Sequence, residues 1–166
     1  MARRSLRRIG PADRGEVERM WCELVVAHQN AGGFGDQLVR PDRLAVEVAS
    51  WFATVLDDGG GFGLVSARGP LLLGFIAVAR NWRPWLRPPR SATITALWVE
   101  PPVRRQGIGK QLVIGARRRL AKDRIDIVDL HAIPSPHAAG QFWQDQGFAT
   151  KTTYMQRGTT TGPASV

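Results

Sequence analysis

The chain lacks what a covalent or metal-held framework requires. Cysteine occurs once in 166 residues, at Cys22, which excludes an internal disulfide and points to a reducing, cytoplasmic setting. Tyrosine also occurs once, at Tyr154. No apolar run nears the ~20 residues that cross a bilayer. The longest, Leu71 to Ala79, is interrupted by Gly74, so no membrane association is expected. The start, Met1-Ala2-Arg3-Arg4, is basic, but no apolar stretch follows it, and a secretory signal is not expected. There is no internal repeat and no linker-like segment. Acidic residues are scarce: 14 Asp+Glu stand against 23 Lys+Arg, a net charge of +9.

What is present suits one globular domain, expected over residues 1–157, with 158–166 a small, polar, disordered tail. Hydrophobic residues make up 43%, enough for a real core. The positive balance favours an anionic partner. A solvated arginine-rich surface is the plainer reading. Nucleic-acid binding is the least favoured alternative, carried by the arginines of Asn81–Arg90 and the Arg117–Arg119 cluster, because no binding motif accompanies the charge.

Ser5 to Ile9 reads as a short strand. Gly10 as N-cap, Pro11 and Asp13 then open a helix whose apolar stripe is Val17, Met20, Trp21, Leu24 and Val25. Cys22 and His28 lie on this helix, as a packing residue and a helix-end residue. Pro41 opens a second helix bearing Leu44, Val48, Trp51, Phe52 and Val55 on one face. Phe62–Ala67 and Leu71–Arg80 read as strands about the turn at Gly69-Pro70, the second almost uniformly apolar, as a central strand should be. Asn81 to Arg90 carries three prolines, Trp82 and Trp85, and reads as a loop: a recognition surface, a homodimer contact, or a loop packed on its own tryptophans. Further strands are expected at Ser91–Val99, Ile125–His131 and Thr150–Arg157, and helices at Gly107–Lys122 and Pro136–Gln146.

The most informative stretch is Leu97 to Leu112, where an apolar strand ends at Pro101-Pro102 and a basic turn leads into a helix. A helix N-terminus offers unpaired N–H groups and the positive end of the macrodipole. Gly107 and Gly109 have no Cβ, so an anion could approach the main chain closely, with Arg104, Arg105 and Lys110 around it. This is the pattern of a pyrophosphate seat. The spacing differs from the dinucleotide fingerprint, and no Gly-Lys-Ser/Thr follows as a P-loop requires.

Arg104-x-x-Gly107-x-Gly109 after a strand resembles the acetyl-CoA signature of the GNAT superfamily of N-acetyltransferases. Ala139-x-x-Phe142-Trp143-x-x-x-Gly147-Phe148 resembles that family's second, C-terminal motif. The resemblance implies an α/β fold with a mixed sheet, in the order β-α-α-β-β-β-α-β-α-β. It also implies a splay between the strand ending at Val99 and the strand ending at His131. Acetyl-CoA would lie there, its pantetheine arm on the main chain of Leu97, Trp98 and Val99. Its pyrophosphate would sit on Arg104, Arg105, Gln106, Gly107, Ile108, Gly109 and Lys110, with Trp143 nearby. The loop at Ala31–Gly35 would be a lid or a plain connection.

The implied reaction is direct attack of a primary amine on the thioester. Val99 N–H would serve the oxyanion. His131 would act as general base or be merely a strand-end histidine, and Glu100 is a weaker candidate. Thr93 and Thr95 stand where other members carry a Glu, and neither can act as a base. Pro136 stands where the family usually has Asn. Trp143 stands where it usually has a Tyr general acid, a departure that also suits an acyl-CoA-binding module without turnover.

Overall fold

The computed structural model describes residues 3–31, 41–57, 59–83, 90–132 and 139–151. Five strands form one sheet in sequence order: β1 Arg4–Arg8, β2 Gly61–Arg68, β3 Leu71–Trp82, β4 Arg90–Val99 and β5 Ile127–Leu130. The first four pair antiparallel, and β4 pairs β5 in parallel. Helices α1 Arg14–Asn30 and α2 Pro41–Phe52 cover one face, α3 Ile108–Lys122 covers the other, and α4 Ala139–Asp145 follows β5. A mixed sheet with helices on both faces is the expected class. The observed order β-α-α-β-β-β-α-β-α is the expected one as far as the described residues reach. The strand expected at Thr150–Arg157 lies almost wholly outside them, as do the loop from Gly32 to Gly35, residues 84–89, Pro136 and the tail 158–166. Thr150 and Lys151 are not in a strand.

The start of α1 rests on Asp13. Its carboxylate accepts the Gly10 N–H at 2.7 Å and two bonds from Arg7, at 2.5 and 2.8 Å. These bonds satisfy the free N–H ahead of a one-turn 3-10 segment, Pro11–Asp13, that leads into the helix. The Arg7 bond, aided by the Gly10 N–H, lowers the Asp13 pKa below the usual carboxylate range. Trp21 then anchors the α1–α2 layer, its ring 5.0 Å from Trp51, 6.3 Å from Phe52 and 5.7 Å from Phe75 of β3. Cys22 is partly buried in this helix, and burial raises its thiol pKa, as suits a packing residue. Burial lowers the His28 pKa. Helix α2 runs on into a π-helical turn, Ala53–Asp57, which the sequence pattern does not announce.

Several boundaries differ from expectation, beginning with β1, which is one residue earlier than Ser5–Ile9, and β2, which is one residue longer at each end than Phe62–Ala67. Asn81 and Trp82 belong to β3 and Arg90 to β4, so the expected loop is shorter: Asn81 still pairs with Ser91, and Trp82 with Arg90. Helix α3 starts at Ile108, with Gly107 as its N-cap at φ 76°. Strand β5 is Ile127–Leu130, not Ile125–His131. Helix α3 ends in a Schellman-type cap, with Arg124 at φ 55° and Ile125 N–H donating to Leu120 C=O at 3.0 Å. That bond takes the N–H Ile125 would need to open a strand.

Candidate active site

The site is built on an irregularity in β4. Ile94 lies opposite Val78 and Ala96 opposite Ala77, so Thr95 is an extra residue in the ladder, a β-bulge. Its hydroxyl donates to the Ala77 carbonyl at 3.2 Å. The extra residue shifts the pleat by one. Before it, Ala92 and Ile94 pack on the α3 side; after it, Ala96 and Trp98 pack on the α1–α2 side, and Leu97 and Val99 turn to α3.

The bulge coincides with the end of strand pairing. Strand β5 accompanies β4 from Ser91↔Ile127 to Ile94↔Leu130 and then leaves it. Strand β4 continues to Val99 with β3 alone. Glu100 N–H bonds Leu73 C=O at 3.0 Å, and the Trp98 carbonyl lies so close to Gly74 that a Cβ there would come within 2.5 Å. Ladder alternation therefore directs the polar groups of Trp98 to β3 and those of Leu97 and Val99 to the open side. The expected main-chain seat at Leu97, Trp98 and Val99 is accordingly open at Leu97 and Val99, while Trp98 is committed to its neighbour strand. The Val99 carbonyl already accepts Arg104 Nε at 2.9 Å, and the Arg104 guanidinium lies over the Trp98 ring, 4.6 Å from its centroid. Its other nitrogens add charge beside the turn.

The turn follows a short 3-10 segment, Pro101–Val103. Arg105 at φ 62° and Gly107 at φ 76° swing the chain into α3. Its first closed hydrogen bond is Gln111 N–H to Gly107 C=O at 3.0 Å. The N–H groups of Ile108, Gly109 and Lys110 precede that bond and have no acceptor within the helix. Arg104, Arg105, Gln106, Gly107 and Lys110 are exposed, while Ile108 is buried in the core and pins the turn. Arg4, at the start of β1, donates to Gln106 C=O at 3.3 Å and brings a further cation to the turn, one that sequence spacing could not have placed there. A Cβ on Gly107 would meet nothing within 4 Å, so its role is conformational. A Cβ on Gly109 would lie 3.3 Å from the Phe142 ring, so Gly109 lets α4 approach.

The remaining candidates separate. Glu100 is tied by an ion pair to Arg19 of α1, which also binds Glu16 and Glu23. Its carboxylate fastens α1 to the end of β4. His131 is exposed, just past the last β4–β5 pair. Trp143 packs edge-on between Phe142 at 5.0 Å and Phe148 at 5.3 Å, against the α3-side core. Sequence reasoning missed Asp129, which accepts the Thr93 hydroxyl and Arg83, both at 2.6 Å. Its only signal was an acid in an otherwise apolar strand.

An open strand edge running into a cationic helix N-terminus is a fit for an extended ligand ending in phosphates. The family model for the acetyltransferase (GNAT) family matches residues 16–148. The chain belongs to the GNAT acetyltransferase family. Solved structures agree on the fold. A GCN5-related N-acetyltransferase from Ralstonia eutropha is 24% identical, covering 94% of this chain and 98% of its own at a TM-score of 0.71. A predicted acetyltransferase with acetyl-CoA from Clostridium acetobutylicum is 14% identical, covering 94% and 96% at a TM-score of 0.76. A protein described as a transcriptional regulator from Bacillus halodurans is 19% identical, covering 94% and 99% at a TM-score of 0.75. No curated protein matches the chain. Among the described residues of this GNAT chain, no helix is long and apolar enough to cross a membrane.

Proposed function

We propose that this GNAT protein transfers the acetyl group of acetyl-CoA to a primary amine, of a small molecule or of a protein, by direct attack in a ternary complex. One observation carries the reading: β4 diverges from β5 after Ile94 and leaves Leu97 and Val99 with outward polar groups beside the N-terminus of α3. An extended pantetheine chain could pair with those two residues as an added strand pairs with a sheet edge. Its pyrophosphate would meet the N–H groups of Ile108, Gly109 and Lys110 and the charges of Arg4, Arg104, Arg105 and Lys110. The Val99 N–H, on the open side, is available to the oxyanion that forms when an amine attacks a thioester. Acetyl-CoA supplies the activated acyl group; the protein's role is to hold it extended and to polarise its carbonyl.

His131 remains a candidate for the acceptor's proton, since it lies at the mouth of the splay. Trp143 favours a second reading, an acyl-CoA-binding module without turnover, because an indole N–H is no useful acid. It does not exclude transfer: a thiol with a pKa of about 8.5 can depart as thiolate. Calorimetric titration with acetyl-CoA, followed by a thiol-release assay over a panel of amines, separates the readings. Binding with amine-dependent thiol release is expected. Binding without release across the panel would favour the module, and no binding would overturn both.

A further inference from the structure

The acceptor side of the splay holds a polar network that no cofactor role uses. Ala92 and Ile94 of β4 and Val128 and Leu130 of β5 pack on the α3 side, so Thr93 and Asp129 face the side of α1 and α2. There the Thr93 hydroxyl donates to Asp129 Oδ1 at 2.6 Å and accepts from Asn81 Nδ2 at 2.7 Å. Asp129 Oδ2 accepts Arg83 Nη1 at 2.6 Å. Thr93↔Asp129 is the penultimate rung of the ladder, and β4 and β5 diverge after the next rung, Ile94↔Leu130.

The two sides of this carboxylate differ in kind. Oδ1 is held by a hydroxyl whose own orientation is set by Asn81, and all three residues stand on paired strands. Oδ2 is held by a residue just past the end of β3, in an ion pair whose side chains are 33% and 37% exposed. Such a half-wet pair is worth at most about 1 kcal/mol. Another cation can therefore take its place without disturbing the sheet. The other acid near the opening, Glu100, is occupied by Arg19.

We propose that Asp129 is the carboxylate that first receives the ammonium group of the incoming acceptor, before the amine moves along β4 to the thioester, and that Arg83 is a resident counter-ion which the acceptor displaces. The inference rests on the acetyl-transfer reading, because a primary amine with a pKa near that of lysine, about 10.4, arrives as a cation. Asn81 and Thr93 are positioning residues: they aim the carboxylate. Arg83 keeps the site neutral until a competing cation enters.

The two partners should then have opposite effects. The acetyl-CoA-loaded protein is titrated with butylamine and, as its uncharged counterpart, 1-butanol. The main-chain resonances of Thr93 and Asp129 are followed by NMR. Butylamine should give a saturable response and butanol none. Asp129→Asn should raise the half-saturating butylamine concentration about fivefold or more, and Arg83→Gln should lower it about threefold. Acetyl-CoA affinity should stay within about twofold of wild type in both variants. A purely structural ion pair would move both variants the same way, and that result overturns the proposal. So would an equal response to butanol, no saturable response to butylamine, or loss of acetyl-CoA affinity in either variant. Failure of the wild-type protein to bind acetyl-CoA would instead overturn the acetyl-transfer reading itself.

Discussion

Gly107 has a conformational role and, on the proposed reading, a place beside the bound anion as well. Its φ of 76° is the left-handed region, and no atom lies within 4 Å of where a Cβ would stand. Gly107→Val should cost about 1–2 kcal/mol of stability through backbone strain alone. The same side chain would project into solvent, where the anion is proposed to sit. Acetyl-CoA affinity should therefore fall at least about tenfold while the variant's circular dichroism remains that of the wild type, and calorimetry reads the difference. Equal affinity would mean that the turn does not hold the phosphates. Asp13 makes a different residue-scale prediction. Its folded-state pKa lies below the unfolded value of about 3.9. The bond to Arg7 thus stabilises the protein above that value and is lost as pH falls through the folded pKa. Asp13→Asn should lose about 1–2 kcal/mol at neutral pH and less at low pH, so urea midpoints of the two proteins should converge on acidification. The glycine turn and a helix start with Gly10 as N-cap and Asp13 in the first turn were legible in sequence, because each depends on neighbouring residues; the bond from Arg7 to Asp13 was not.

Among the elements, the bulge in β4 matters most and was the least legible. Thr95 was visible as a threonine in an apolar strand, at a position where the resemblance places a Glu in other members. Nothing local marks a residue as the one left unpaired between Ile94 and Ala96; that depends on where Val78 and Ala77 of β3 fall. Its consequence is large, since it decides that Trp98 faces α1 and Val99 faces α3. Inserting one residue between Ala77 and Val78 should give Thr95 a partner, restore an even ladder and turn Ala96 to Val99 over together with the facing half of β3. The loss should exceed about 3 kcal/mol in urea unfolding, with loss of acetyl-CoA binding in whatever folded protein remains. A stable insertion variant with wild-type affinity would show that the face exchange is not what shapes the site. The boundary of β5 escaped the sequence reading for a related reason. Its apolar run begins at Ile125, but the end of α3 takes that residue's N–H.

At the scale of the molecule, the net charge of +9 is not spread evenly in its effect. Arg80, with Arg119 beside it, is partnered by Asp123, and Arg19 by Glu16, Glu23 and Glu100. Arg105 and Lys110 stand exposed around the turn, and Arg4 joins them from the far edge of the sheet. Affinity for acetyl-CoA should fall several-fold, on the order of 1 kcal/mol, between low and high salt. Arg4→Ala should flatten that dependence without altering the fold. An affinity independent of salt would detach the basic turn from ligand binding.

The sequence by itself determined the helix and strand order over the described residues, the family and the glycine turn that opens α3. These follow from local rules: proline ends a strand, glycine admits a positive φ, and apolar spacing declares a helix face. Only the tertiary structure decided that Leu97 and Val99, not Trp98, turn their polar groups outward. It alone set Glu100 against Arg19, brought Arg4 to Gln106, and placed Asp129 between Thr93 and Arg83. Each of these depends on residues far apart in the chain, brought together by ladder register or by helix packing that side-chain pattern does not specify.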